Sequence, residues 1–157
     1  MNGWYSASQE IVFAGLDGEQ SETLEEVRTG PPDRINMPPT ILIAEDYDDN
    51  RELLRLVLAN ANYDVREARN GQECLDLARE NPPDLIMVDL SMPGLDGWEV
   101  FKELKANSLT AHIPCVACTA HTDHDRARAL QSGFSDFVVK PFRTEELLRT
   151  VKRLISK

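Results

Sequence analysis

No stretch of this 157-residue chain approaches the ~20 consecutive apolar residues that a membrane-spanning helix requires. Cysteine is scarce: Cys74, Cys115 and Cys118 are the full set, too few for a disulfide framework, and they fit a reducing compartment. Positive charge is short as well. Lys and Arg number 17 against 27 Asp and Glu, a net charge of −10, so no basic surplus remains to neutralise nucleic-acid phosphates or anionic lipid. Direct partners of either kind, nucleic acid or membrane, are therefore not expected. The first twenty residues, MNGWYSASQEIVFAGLDGEQ, lack a basic leader and break their short apolar stretch with Asp17 and Glu19. They do not read as a secretory signal, which points to a cytoplasmic address.

What is present is ordinary for a soluble globular protein: 41% hydrophobic and 28% charged residues. The length suits one domain with its own core plus an appendage. The first 38 residues hold seven acids against two bases, −5 of the total −10, and run into the Pro/Gly cluster TGPPDRINMPP, which reads as a linker. The domain boundary is placed near Pro38. Residues 1–38 are read as an acidic, flexible extension and residues 39–157 as the domain. Glu19 to Val27 shows no sustained apolar face and is read as part of a solvated tail.

From Thr40 onward, short β-branched runs alternate with helical patterns, as in βαβ units. Strands are expected at Ile41 to Ala44, Tyr63 to Ala68, Leu85 to Asp89, Ile113 to Cys118 and Phe137 to Val139. The central ones are nearly continuous apolar runs, as befits strands covered on both faces. Helices are expected at Asn50 to Ala61, Gly71 to Glu80, Trp98 to Ala106, Asp123 to Gln131 and Thr144 to Ile155, with Thr144 as the N-cap of the last. The alternation predicts an α/β domain with a five-stranded doubly wound sheet.

In an open parallel sheet, ligands bind beyond the carboxyl ends of the strands. Glu45 and Asp46 follow the first strand, Asp89 closes the third, Thr119 follows the fourth, and Lys140-Pro141 follows the fifth. Converging there, three carboxylates would repel one another unless a hard divalent cation, Mg²⁺ by its size and oxygen preference, offset them. With such an ion Asp89 can stay ionised and attack a phosphoryl group, while Lys140 and the hydroxyl of Thr119 offset charge on its oxygens. An aspartate ending the apolar run LIMV is costly without such a reason. By contrast, Cys115 and Cys118 lie three apart on a strand and face opposite sides, so they are read as buried packing. His121 and His124 lack a ligand partner at suitable spacing and are read as surface residues. Trp98 is expected to anchor the third helix to the sheet.

The segments ILIAEDYDDNRELL, DLIMVDLSMPGLDG, CTAHT and DFVVKPF resemble the motifs of response-regulator receiver domains, in order and on the matching elements, over Pro39 to Lys157. The resemblance implies a flavodoxin-like fold with strand order 2-1-3-4-5. It implies that Asp89 is the phosphoacceptor and that Glu45 and Asp46 hold Mg²⁺, joined by the backbone carbonyl of Ser91. It implies that Thr119 is the switch hydroxyl, Phe137 the aromatic that moves with it, and Lys140 the motif lysine, aimed by a cis bond to Pro141. Ser91 and His121 would tune how long the acyl phosphate lasts. The implied partners are a sensor histidine kinase or histidine phosphotransfer protein as donor and a downstream protein target. The implied state is a monomer or a phosphorylation-dependent dimer.

With Lys157 following the fifth helix directly, a single-domain regulator is expected, one whose only chemistry is self-phosphotransfer and auto-dephosphorylation. A phosphatase of the haloacid dehalogenase type would need an aspartate two residues after the nucleophile, where Ser91 stands. A binding-only scaffold would be marked by loss of the acceptor or the acidic pair, and both are present. A receiver module detached from a hybrid histidine kinase stays open.

Overall fold

The computed structural model describes residues 36–120 and 123–156. The elements are β1 (Thr40–Ala44), α1 (Asp48–Asn60), β2 (Asp64–Ala68), α2 (Gly71–Glu80), β3 (Leu85–Asp89), α3 (Gly97–Ala106), β4 (Cys115–Thr119), α4 (Asp123–Ser132), β5 (Asp136–Val139) and α5 (Thr144–Ile155). All strand pairings are parallel, and the sheet runs β2-β1-β3-β4-β5, the order the resemblance implied. Apart from residues 36–38, the expected N-terminal extension, with its Glu19 to Val27 stretch, lies outside the described residues.

Strand alternation sends side chains to two separate cores. On one face Ile41, Ile43, Leu85, Met87, Val116, Cys118 and Val138 pack against Leu54 and Leu58 of α1 and Leu147, Val151 and Leu154 of α5. On the other, Leu42, Ala44, Ile86, Val88, Cys115 and Ala117 meet residues of α2, α3 and α4, among them Leu75, Val100, Phe101 and Ala129. Every residue of β3 and β4 is buried, whereas the edge strands β2 and β5 are only partly covered. The continuous apolar runs of the central strands follow from this double cover.

The three thiols behave as packing residues. Cys115 and Cys118 fall in opposite cores, as their spacing required. Burial pushes the Cys74 thiol up to about 12 and that of Cys115 to about 11, and it raises Cys118 too, so none ionises near neutrality.

Several boundaries differ from expectation for identifiable reasons. Helix α1 begins at Asp48, two residues before the expected start, because Asp48 and Asp49 form its first turn, where negative charge meets the positive end of the helix dipole. Strand β4 begins at Cys115 and not at Ile113. Pro114 has no N–H for the ladder, and the Ile113 N–H is taken by the Thr110 carbonyl at 3.1 Å. Thr144 is already helical and does not cap α5; the N-cap is Arg143, which makes no side-chain cap bond. Helices α2 and α3 carry side-chain N-caps, Asn70 accepting from the Glu73 N–H at 2.8 Å and Asp96 forming a reciprocal capping box with Glu99. Trp98 does more than hold α3 on the sheet. Its ring meets Phe134 edge-on at 5.8 Å, and the Arg128 guanidinium of α4 lies 4.0 Å above it.

Gly97 opens α3 against the end of β3. A Cβ there would lie 2.4 Å from the Asp89 carbonyl oxygen and 2.7 Å from the Leu90 Cα, both backbone atoms that cannot swing aside. Gly97→Ala is expected to destabilise the domain by about 1–3 kcal/mol, the usual cost of overpacking, as read from the urea midpoint.

Candidate phosphoacceptor site

Because the strands are parallel, their carboxyl ends share one edge of the sheet, and the backbone sets the level of each site residue there. The Leu90 N–H donates to the Cys118 carbonyl at 2.9 Å and the Lys140 N–H to that of Thr119 at 2.8 Å. The register pairs Asp89 with Cys118 and Thr119 with Val139. The loop after β1, the end of β3 and the loop after β5 thus bring Glu45, Asp89 and Lys140 together although they are far apart in the chain.

Lys140 is the hub. Its Nζ lies 2.5 Å from Glu45 Oε2 and 3.0 Å from Asp89 Oδ2. The other Asp89 oxygen, Oδ1, accepts from the Ser91 N–H at 3.0 Å, and Glu45 Oε1 accepts from the Tyr47 N–H at 3.1 Å. Glu45 and Asp89 are buried, at 1% and 5% exposure, while Asp46 faces solvent. Burial lifts the Glu45 carboxyl above its usual 4.5, the nearby Asp89 charge adding to the rise; the bonds from Lys140 and the Tyr47 N–H pull the other way without cancelling it. For Lys140, burial would lower the ammonium, but the hydrogen bonds to Glu45 and Asp89 outweigh it and hold the group above its usual 10.5. The Lys140–Pro141 peptide is cis, as implied.

The expected acidic trio does assemble: oxygens of Glu45, Asp46 and Asp89 lie within 4.8 Å of one another. An all-oxygen donor set, with one member open to water, fits a small hard cation that keeps part of its hydration shell, as Mg²⁺ does. Ser91 is exposed and lies just beyond the end of β3, with its N–H on Asp89. Thr119 is buried at 1% exposure, and its hydroxyl donates to Asp125 Oδ2 at 3.1 Å. Phe137 is half-buried against the core under α2, α3 and α4, with the Arg126 guanidinium 5.0 Å above its ring. His121 lies outside the described residues; His124 is exposed, as expected.

Two side chains important to this geometry were not singled out from the sequence. Arg51, only 7% exposed, donates from Nη1 to the Glu45 carbonyl at 3.0 Å and pairs with Asp48 and Glu67, bracing the loop that carries the acidic pair. Its signal was a charge on the core-facing stripe Arg51, Leu54, Leu58 of α1. Asp125, the partner of Thr119, left no comparable trace, because first-turn acids are common on any helix.

A doubly wound domain whose strand ends converge on an aspartate, two further acids and a lysine has the layout of a receiver, and comparison with known proteins agrees. Residues 41–152 match the family model of the response regulator receiver domain. The chain belongs to the response-regulator receiver family. It is 38% identical over 121 residues to the polar-differentiation response regulator DivK of Brucella anthropi, covering 76% of this chain and 98% of that protein. Among solved structures it is similar to a chemotaxis protein of Vibrio cholerae, with TM-score 0.70 and 29% identity over 74% of this chain and 98% of the other. It is also similar to the receiver domain of a sensor histidine kinase from Pseudomonas aeruginosa, with TM-score 0.71 and 30% identity over 76% of this chain and 99% of that domain. That structure holds a magnesium ion in its active-site cleft.

Ionising Glu45 opposes folding, a cost absent below about pH 4.5, where its carboxyl is protonated in folded and unfolded chains alike, and felt as pH rises through its raised value. Lys140 offsets that cost throughout the neutral range. Lys140→Met should therefore lose about 2 kcal/mol at pH 7, less than the ~3–5 kcal/mol of a fully buried pair because the ammonium keeps some exposure. At pH 4 the loss should shrink. Urea denaturation at the two pH values measures it, and an equal loss at both would assign Lys140 a packing role only.

Proposed function

We propose that this chain is a phosphoacceptor of two-component signalling. Asp89 takes a phosphoryl group from a phosphohistidine of a sensor kinase or histidine phosphotransfer protein. The observation that carries the reading is the Lys140 ammonium 3.0 Å from Asp89 Oδ2, with the Ser91 N–H on the other oxygen. The carboxylate is held by donors and needs no reorientation before it reacts.

In the transfer an Asp89 oxygen forms the new P–O bond as the P–N bond breaks. The electron pair returns to the donor imidazole, which takes a proton from water. Mg²⁺, held by Glu45, Asp46, Asp89 and the Ser91 carbonyl, would supply positive charge against the phosphoryl oxygens. Lys140 supplies a second cation from the loop after β5, and the Thr119 hydroxyl donates to a phosphoryl oxygen once the group is in place. The chain's chemistry ends at its own carboxylate: it accepts the group and loses it to water, with Ser91 and His121 tuning the lifetime.

The output is a protein contact, made through the surface of α4, β5 and α5 after Thr119 and Phe137 move. A monomer or phosphorylation-dependent dimer in the cytoplasm suits this role; no helix among the described residues is long and apolar enough to cross a membrane. Exposed Tyr47, the N-cap of α1, and exposed Leu53 and Leu56 within that helix offer apolar contacts to the phosphodonor. The likeness to receiver domains of histidine kinases also favours a second setting, a receiver module of a hybrid kinase, with the same acceptor chemistry.

Incubation with acetyl phosphate should add the mass of one phosphoryl group in the presence of Mg²⁺ and none in its absence, and Asp89→Asn should stay unlabelled. A wild type that stays unlabelled where a control receiver labels would sink the reading in favour of a binding scaffold. Since Glu45 must shed its proton to accept a cation and titrates above 4.5, Mg²⁺ affinity should weaken as pH falls from 7.5 to about 5, measured by calorimetric titration.

A further inference from the structure

Helix α4 is loosely held by apolar contacts. Of its ten residues only Ala129 is buried. Its attachment to the rest of the domain is largely polar and cationic: Asp125 to Thr119, Arg126 over the Phe137 ring at 5.0 Å, and Arg128 over Trp98 at 4.0 Å. The first two of these grip the two residues expected to respond to phosphorylation, and they come from adjacent positions in the first turn of the helix.

The Thr119 bond has a stoichiometric constraint. A threonine hydroxyl has a single proton to donate, and an ionised carboxylate can only accept. That proton goes to Asp125 Oδ2 at 3.1 Å. Phosphoryl oxygens on Asp89 can likewise only accept, so Asp125 and the phosphoryl group compete for one proton. We propose that Asp125 is a positioning residue that holds the Thr119 hydroxyl toward α4 in the resting chain, and that phosphorylation moves this bond from Asp125 to the phosphoryl oxygens.

Losing the bond loosens the first turn of α4 and with it the hold of Arg126 on Phe137. Asp125 thereby sets how readily the chain is switched, without touching the reacting atoms. This inference rests on the reading of Asp89 as the acceptor.

The test is the affinity for beryllofluoride, a stable phosphoryl mimic, in the presence of Mg²⁺, for the wild type, Asp125→Ala, Asp125→Asn, Thr119→Ala and the Asp125→Ala/Thr119→Ala double variant. Asp125→Ala should bind about three- to tenfold tighter, the worth of one released hydrogen bond. Asp125→Asn, which keeps an acceptor but not the charge, should stay near the wild type. In the Thr119→Ala background the substitution at 125 should change nothing. A gain of equal size with and without the Thr119 hydroxyl, or shared by Asp125→Asn, would make the effect one of charge and overturn the proposal. Wild-type binding with no gain in Asp125→Ala overturns it alone. A wild type that neither binds beryllofluoride nor labels with acetyl phosphate brings down the acceptor reading as well.

Discussion

Two carboxylates buried side by side set the terms for everything at the carboxyl edge of this sheet. At an effective dielectric of about 20, two like charges ~4 Å apart repel by roughly 4 kcal/mol, a large part of a small domain's stability. Glu45 and Asp89 are nevertheless both buried, and Lys140 reaches both from a third strand. The level at which β5 ends, fixed by the Lys140 N–H on the Thr119 carbonyl, is what lets that ammonium arrive. The close seating of Gly97 beneath the Asp89 carbonyl and the Arg51 brace under the Glu45 loop serve the same end, holding charges where one cation can answer them.

Much of this was legible in the sequence because it rests on periodicity and order. The runs ILIA and LIMVD announce strands buried on both faces, and their terminal acids stand out against them. Spacing alone sent Cys115 and Cys118 to opposite faces. Less visible was anything that depends on which backbone N–H is already taken. Ile113 looked like strand but spends its N–H on Thr110, and Thr144 looked like a cap but sits inside the helix. Asp48 and Asp49 were ambiguous between turn and helix because acids suit both a loop and a first turn. The Asp125 bond to Thr119 joins a loop-flanked strand end to a different element, a relation no local pattern carries.

The domain also divides its labour between its two cores. The face under α1 and α5 is built from large aliphatic side chains fully removed from water, and α1 carries the loop with the acidic pair. The opposite face ends in α4, whose one buried residue leaves it tied by side-chain charges and rings. Rigid support thus lies beneath the acids, and adjustable support lies beyond Thr119. Such a division suits a molecule whose chemistry needs fixed oxygens and whose output needs a movable surface.

The burial of all three cysteines has a consequence at the bench. With every native thiol enclosed and two of them pushed to about 11 and 12, maleimides and other electrophilic dyes should find almost no thiolate on the folded chain. A single cysteine introduced on the surface of α4 would then be the only reactive handle, so fluorophores or spin labels could follow that helix in real time without first stripping the chain of its own sulfur.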